Sequence, residues 1–370
     1  MGQVKISSYQ FLVLVIFFSV GTSLLAVPAI LAERTGQDAW IAAAIGSAVS
    51  VAIVSFYVRL ACRFPGLTFI EMIELLLGKW IGRLVTLFFV LAAMTFTATL
   101  LYYSGSFLKI EMMPRTPMLI LNLFIGAVIV QGVYMGLETL ARSAEIFIGV
   151  FLLLFGFLLV SLLPQVKFEQ LMPVSEAGAG DIAWAAFSVA EVSGLTAVVL
   201  LVVFPAFTKD MKKSGHSFLI GNLIAGILVT ALTFLSIVIL GAESTAKQHF
   251  PGYELAKRIN LGDFVQRVES LMAGLWVITL FFKASLYFFA AVYGTARLFK
   301  LSDYRRLTFP LGGVAVILSL TLFPNIMAFK NWNTTIGAGI SISVGVALPL
   351  LLAVVYGLRR KGLKRAGKVG

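Results

Sequence analysis

Ten apolar runs, each about 18 residues or longer, divide the 370-residue chain, with short polar stretches between them. They fall near 9–32, 38–61, 83–106, 117–135, 144–163, 182–207, 217–241, 268–298, 307–324 and 337–358. An α-helix needs about 20 apolar residues to cross a hydrocarbon layer of about 30 Å. The pattern therefore predicts an all-α polytopic membrane protein of about ten transmembrane helices. The longest polar connections, 164–181 and 242–267, leave no room for a soluble domain, so residues 1–358 read as one transmembrane domain and 359–370 as a basic tail. The first run is longer than the apolar core of a signal peptide and no cleavage region follows it, so it reads as a retained span.

Two of the runs carry residues that weaken a helix. In "FSVGTSLLAVPAI" (18–30) Gly21, Thr22 and Ser23 stand in a row before Pro28, and "FSVAEVSGLTAVVLLVVFPAF" (187–207) has Ser188, Glu191, Ser193, Gly194 and Thr196 before Pro205. Glycine and small hydroxyl residues favour turns over helix interiors, and proline removes a backbone donor. A broken helix in lipid is tolerated only where its freed backbone groups face protein, water or a ligand. Matching interruptions that open the two halves of the chain predict a five-plus-five inverted repeat with discontinuous first and sixth helices. Free N–H groups at such a break suit a carboxylate and free carbonyls suit an ammonium group, and an amino acid has both. Close helix packing at the glycines and simple proline kinks account for the same residues, and both readings stand at this point.

Two ionisable side chains lie deep in apolar runs, Glu191 and, in "WVITLFFKASLYFF" (276–289), Lys283. A charge at the bilayer centre costs about 2.5–3.5 kcal/mol even on the gentler scale, so each needs a partner, a cavity or a proton path. Trp276, Thr279, Lys283, Tyr287 and Gly294 share one helical face, which should point into the bundle and make Lys283, Tyr287 and Glu191 candidates for coupling or gating. In the third span Thr95, Thr99 and Tyr102 share a face, with Tyr103 and Ser106 beside it, which suits a small pocket or ordinary interhelical hydrogen bonds. Glu138, Arg142 and Glu145 read as local ion pairing at the start of the fifth helix, or as a gate. The connection 241–270 contains an amphipathic piece, Tyr253, Leu255 and Ile259 against Glu254, Lys257 and Arg258, fit to lie in the interface, cap the outer side or merely connect.

Charge sets the orientation. With the N-terminus inside, the inner segments hold 19 of the 29 Lys and Arg residues and the outer segments nine, with Lys283 the remaining one. That bias places both termini in the cytoplasm and explains the net charge of +12 as topology and contact with anionic lipid, not nucleic-acid binding. The tail "RRKGLKRAGKVG" reads as disordered and held to the inner leaflet by charge, or, more simply, as a stop-transfer flank without specific function. The single cysteine, Cys62, permits no internal disulfide, and His216 and His249 cannot form a metal site of the usual spacing. No cofactor is expected. Signatures of nucleotide hydrolysis, zinc proteolysis and esterase chemistry are missing, so the chain does not read as an enzyme.

The strings "ISSYQFLVLVIFFSVGTSLLAVPA" (6–29), "DAWIAA" (38–43), "RFPGLTFIEMIELLLGKWIG" (63–82) and "GLETLARSAEI" (136–146), in this order and spacing, carry a resemblance. The chain resembles the B subunits of bacterial spore germinant receptors, the endospore germination permeases of the amino acid–polyamine–organocation superfamily. The resemblance implies a permease-like domain with the leucine-transporter fold, its ligand held between the broken first and sixth helices and lined by the third and eighth. It also implies a nutrient-sensing subunit of the spore inner membrane, working with an A subunit and a C-subunit lipoprotein, whose ligand triggers loss of ions and dipicolinate. Combined with the residues above, it predicts a small ligand, an L-amino acid, held by Gly21, Thr22, Ser23, Thr99, Tyr102, Ser188, Glu191, Ser193, Gly194 and Thr196. A proton-coupled amino-acid symporter and a passive ion or water conduit are the competing expectations.

Overall fold

The computed structural model describes residues 5–259 and 268–365. Among these the architecture is helical, with one isolated parallel bridge between Ile6 and Thr208. The first span is two helices, α1 (Ser8–Val20) and α2 (Ser23–Thr35), followed by α3 (Ala39–Ala61), the short α4 (Phe69–Leu77), α5 (Lys79–Phe107), α6 (Met118–Met135) and α7 (Leu137–Leu162). The second half repeats the order: α8 (Ala179–Ala190) opens the sixth span, α9 (Met211–Leu240) is the seventh, and two short helices, α10 (Ala242–Lys247) and α11 (Pro251–Lys257), precede α12 (Glu269–Leu298). α13 (Thr308–Thr321) is the ninth span, and α14 (Ile326–Trp332), α15 (Ala338–Ile342) and α16 (Leu348–Arg365) form the tenth.

Among the described residues, eight helical stretches are long and apolar enough to cross a membrane on their own. Two of the ten runs fall short as continuous helix: the first is split into pieces of 13 residues, and α13 has 14. Extensive packing joins spans five apart, α3 with α9 and α5 with α12, and the equally extensive contact of α1 with α9 is mirrored by that of α8 with α3. This is the packing a five-plus-five repeat requires. Small residues let these helices approach closely. A β-carbon on Gly46 of α3 would lie 2.4 Å from the Ala186 carbonyl oxygen, and one on Gly221 of α9 would lie 2.9 Å from Leu12 O. Outside the bundle Phe124, Ile146, Leu153 and Ile317 are exposed, the reverse of a soluble protein and the arrangement hydrocarbon demands.

Local signals set the helix starts. Ser7 and Gln10 form a reciprocal capping box at α1, Thr68 and Glu71 do the same at α4, and Asp210 caps α9. Ser8 meets Ser214, Val58 faces Gly215, and Arg359 donates to the Leu76 carbonyl, so the beginning of α1 and the end of α16 lie at one face, called here the terminal face. At the opposite face α11 buries Tyr253, Leu255 and Ala256 and presses on α2, where a β-carbon on Gly252 would lie 2.3 Å from Leu24 O. The amphipathic piece is thus a cap on the bundle; residues 260–267 of that connection lie outside the described ones. The tail differs from expectation as well. α16 runs on to Arg365, because Leu, Arg and Lys are good helix formers, and residues 366–370 lie outside the described ones.

Candidate functional site

The break in the first span is local. The Gly21 N–H still bonds to the Phe17 carbonyl (2.9 Å), but Gly21 turns the chain at φ 10°, ψ −105°, and α2 restarts at Ser23. Expected over Gly21–Ser23, the interruption comprises Gly21 and Thr22 alone. Pro28 sits inside α2 and is not the break. The sixth span does not open into coil. Glu191–Leu195 form a π-helical turn and Thr196–Val202 wind as 3-10 helix, so the pitch loosens and then tightens within three turns. Each change of pitch turns backbone carbonyls away from their regular partners, and π turns recur at functional sites for that reason.

Lys283 of α12 spans the two interruptions. Its Nζ donates to the Val192 carbonyl at 3.0 Å and reaches the Thr22 hydroxyl at 3.5 Å. The side chain is 2% exposed, and its ammonium lies 5.2 Å from the Phe18 ring centre and 5.9 Å from that of Tyr287. Aromatic faces and a carbonyl offset part of the cost of burying that charge. A β-carbon on Gly21 would lie 2.4 Å from Lys283 Cδ. A side chain at position 21 would therefore have to displace the lysine stem. The Val192 carbonyl also accepts from Thr196 Oγ1 at 2.7 Å, which fills its second lone pair.

Glu191 stands on the same π turn. Its carboxylate meets the side chain of Ser341 on α15 and acts on the Lys283 charge through space, while the lysine's hydrogen bonds go to Val192 and Thr22. Tyr287, one turn from Lys283, contacts Thr196 and sets its ring edge against Phe18 at 5.0 Å. Hydroxyl groups make a second bridge between the spans. Ser193 Oγ donates to the Ser19 carbonyl (3.0 Å), the hydroxyls of Ser23 and Ser193 are 3.5 Å apart, and Asn222 of α9 donates to Ser19 Oγ and to Ser193 O, both at 3.1 Å. Gly194 is pressed on α3, where its β-carbon would lie 2.9 Å from Ser50 Cα.

The structure thus gathers Gly21, Thr22, Ser23, Glu191, Ser193, Gly194, Thr196, Lys283 and Tyr287. Three expected members lie elsewhere. Ser188 bonds to Trp184 O of its own helix on the exposed side, and Thr99 spends its hydroxyl on Thr95 O. Tyr102 stacks on Phe329 and packs on Phe323, facing the ninth and tenth spans. These three sit on neighbouring faces of their helices, which periodicity alone does not orient. Arg142 pairs with Glu138 at 2.7 Å, whereas Glu145 accepts from Gln10 of α1. Sequence reasoning missed Ser19, Asn222 and Ser341. Asn222 left a signal, a lone amide in an apolar run; the two serines left none.

A bundle with two pitch-broken helices, related by a five-span repeat and joined at mid-depth by polar groups, defines the leucine-transporter class of membrane protein. Solved structures share it. Mhp1, a nucleobase-cation-symport-1 family transporter with bromovinylhydantoin bound, matches with a TM-score of 0.65 at 13% identity over 92% of this chain and 78% of its own. MhsT in complex with L-phenylalanine matches with a TM-score of 0.69 at 15% identity over 97% of this chain and 90% of its own. Within that class the family is also defined. The spore permease family model, described as spore germination protein, matches residues 5–327, and the chain belongs to this family. Among its relatives are spore germination protein KB of Bacillus subtilis (strain 168), 29% identical over 98% of this chain and 97% of the relative, and spore germination protein YndE of the same organism, 25% identical over 97% and 98%. The protein is an integral membrane protein of the spore germination family.

Proposed function

We infer that the protein is the nutrient-sensing membrane subunit of a spore germinant receptor and binds a small ligand, an L-amino acid, between its first and sixth spans. The observation that carries this reading is the Lys283 bridge, a single buried ammonium bonded to both interruptions. The ligand carboxylate is received by Lys283, beside the Gly21 break, and the ligand ammonium by Glu191. Ligand favours one arrangement of the bundle over another and shifts its population. The L-phenylalanine named for MhsT supports an amino acid as ligand class. The positive charge bias supports cytoplasmic termini, and family membership supports the spore inner membrane, an A subunit and a lipoprotein C subunit as setting and partners. A thermal-shift screen of the purified protein against the L-amino acids tests the reading: a saturable rise for one of them is expected, and none with any amino acid overturns it.

A second reading, proton-coupled symport, is favoured by one observation, the meeting of two ionisable groups at the sixth-span π turn, Glu191 on it and Lys283 of α12 bonded to the carbonyl of the next residue, Val192. Vesicles containing only this protein separate the two. Accumulation of labelled amino acid driven by a proton gradient and lost in Lys283→Ala supports the symporter; binding without accumulation supports the sensor.

A further inference from the structure

The tenth span, like the sixth, departs from regular α-helical pitch. Asn333–Gly337 and Ser343–Ala347 are π-helical turns on either side of α15. The second lies against the sixth-span π turn. The two spans meet on successive turns: Glu191 faces Ser341, and four residues further along both, Leu195 faces Gly345. A β-carbon on Gly345 would lie 2.6 Å from Leu195 O, so the backbones touch there.

One side chain closes this contact. Tyr57 of α3, fully buried, directs its hydroxyl to the Gly345 carbonyl at 2.5 Å and to the Leu195 carbonyl at 3.2 Å. A phenol has one proton, so the hydroxyl is shared between two carbonyls that belong to different loosened turns. A π turn can migrate along its helix by passing its extra residue to the next turn, and an anchored carbonyl opposes that shift. The anchor lies one turn from Val192, whose carbonyl Lys283 holds.

We propose that Tyr57 is a positioning residue: its shared hydroxyl fixes the registers of the sixth- and tenth-span π turns against each other and makes the tenth span follow events at Glu191 and Val192. The coupling half of this proposal rests on the ligand reading above; the register half does not. Tyr57→Phe keeps the ring and removes only the donor, and Gly345→Ala disturbs the same contact from the other side. Exposed Tyr9→Phe is the control for loss of a hydroxyl.

Hydrogen exchange of the purified full chain, with and without the amino acid found by thermal shift, reads both halves. Without ligand, Tyr57→Phe should raise amide exchange about tenfold in 193–200 and in 343–349, the size expected for one lost buried hydrogen bond, and leave α7 and α13 unchanged. With ligand, the wild type should change protection in both segments and Tyr57→Phe in the sixth-span segment alone. Unchanged ligand-free exchange in both segments overturns the register role, whether or not any ligand is found. A ligand-dependent change that survives in 343–349 of Tyr57→Phe overturns the coupling. If Tyr57→Phe unfolds, Gly345→Ala is read by the same two comparisons. Absence of ligand binding in the wild type defeats the functional reading and leaves the ligand-free comparison to decide the register role.

Discussion

Lys283 Nζ lies 3.0 Å from the carbonyl oxygen of Val192, 91 positions away in sequence, and the stem of that lysine occupies the space a side chain at Gly21 would fill. One residue of the eighth span thus holds the sixth and shapes the first. The bond is charge-assisted and buried, which makes it worth more than an ordinary hydrogen bond.

Lys283→Met should lower both binding and stability. It removes a hydrogen bond to a charged group, worth about 1.5–3 kcal/mol, and with it the proposed carboxylate contact, so affinity for the amino acid should fall tenfold or more. It also leaves the partly buried Glu191 without the positive charge it faces, so the melting temperature should fall. Calorimetric binding and thermal unfolding in detergent check the two arms; retained affinity with a large loss of stability would make the lysine a structural strut.

Gly21→Ala should weaken binding by displacing Lys283, since its added carbon lies 2.4 Å from Cδ in the present arrangement. The same carbon becomes tolerable once the lysine stem is cut back, so Gly21→Ala and Lys283→Ala should be non-additive in stability. A double-mutant cycle measures this. A coupling energy near zero would show that the lysine stem does not carry the effect of Gly21.

Asn222→Leu keeps the volume of the side chain and deletes its two donated bonds, to Ser19 Oγ and Ser193 O. Leaving these buried acceptors without the amide should cost about 1–3 kcal/mol, seen as a lower midpoint in chemical unfolding. The loss should be smaller in a Ser19→Ala background, where one of the two acceptors is already absent.

Thr99→Val and Tyr102→Phe provide the opposite case. Neither side chain is bonded to the two breaks, so the amino-acid dissociation constant should stay within about twofold of wild type, consistent with the small effect of most changes remote from a site. A tenfold loss in either would move the ligand toward the third span.

Much of the fold was legible in the chain because the solvent is simple. Lipid offers no hydrogen bonds, so every crossing must be a long apolar helix, and ten such runs are visible without any neighbour. The interruptions were legible for the same reason. Gly21, Thr22, Gly194 and the intramembrane charges at Glu191 and Lys283 stand out against an apolar background, and the burial of Trp276, Thr279, Lys283 and Tyr287 follows from their spacing.

The partners of those residues were decided only in three dimensions. Lys283 bonds to a main-chain carbonyl, and every residue has one, so no letter of the sequence marks Val192 as its acceptor. The sixth span keeps its coil as π and 3-10 turns because Ser50, Tyr57 and Asn222 of other helices press on it or bond to it. Tyr102 turned to the ninth and tenth spans because a helix face is chosen by what packs on it, and Tyr57 gave no sign, since a tyrosine in an apolar run is ordinary. The sequence by itself determined where the chain crosses the membrane and where its helices are weak. Which weak points meet, and through which atoms, depended on packing, because hydrogen bonds to backbone groups are specified by geometry and not by residue type.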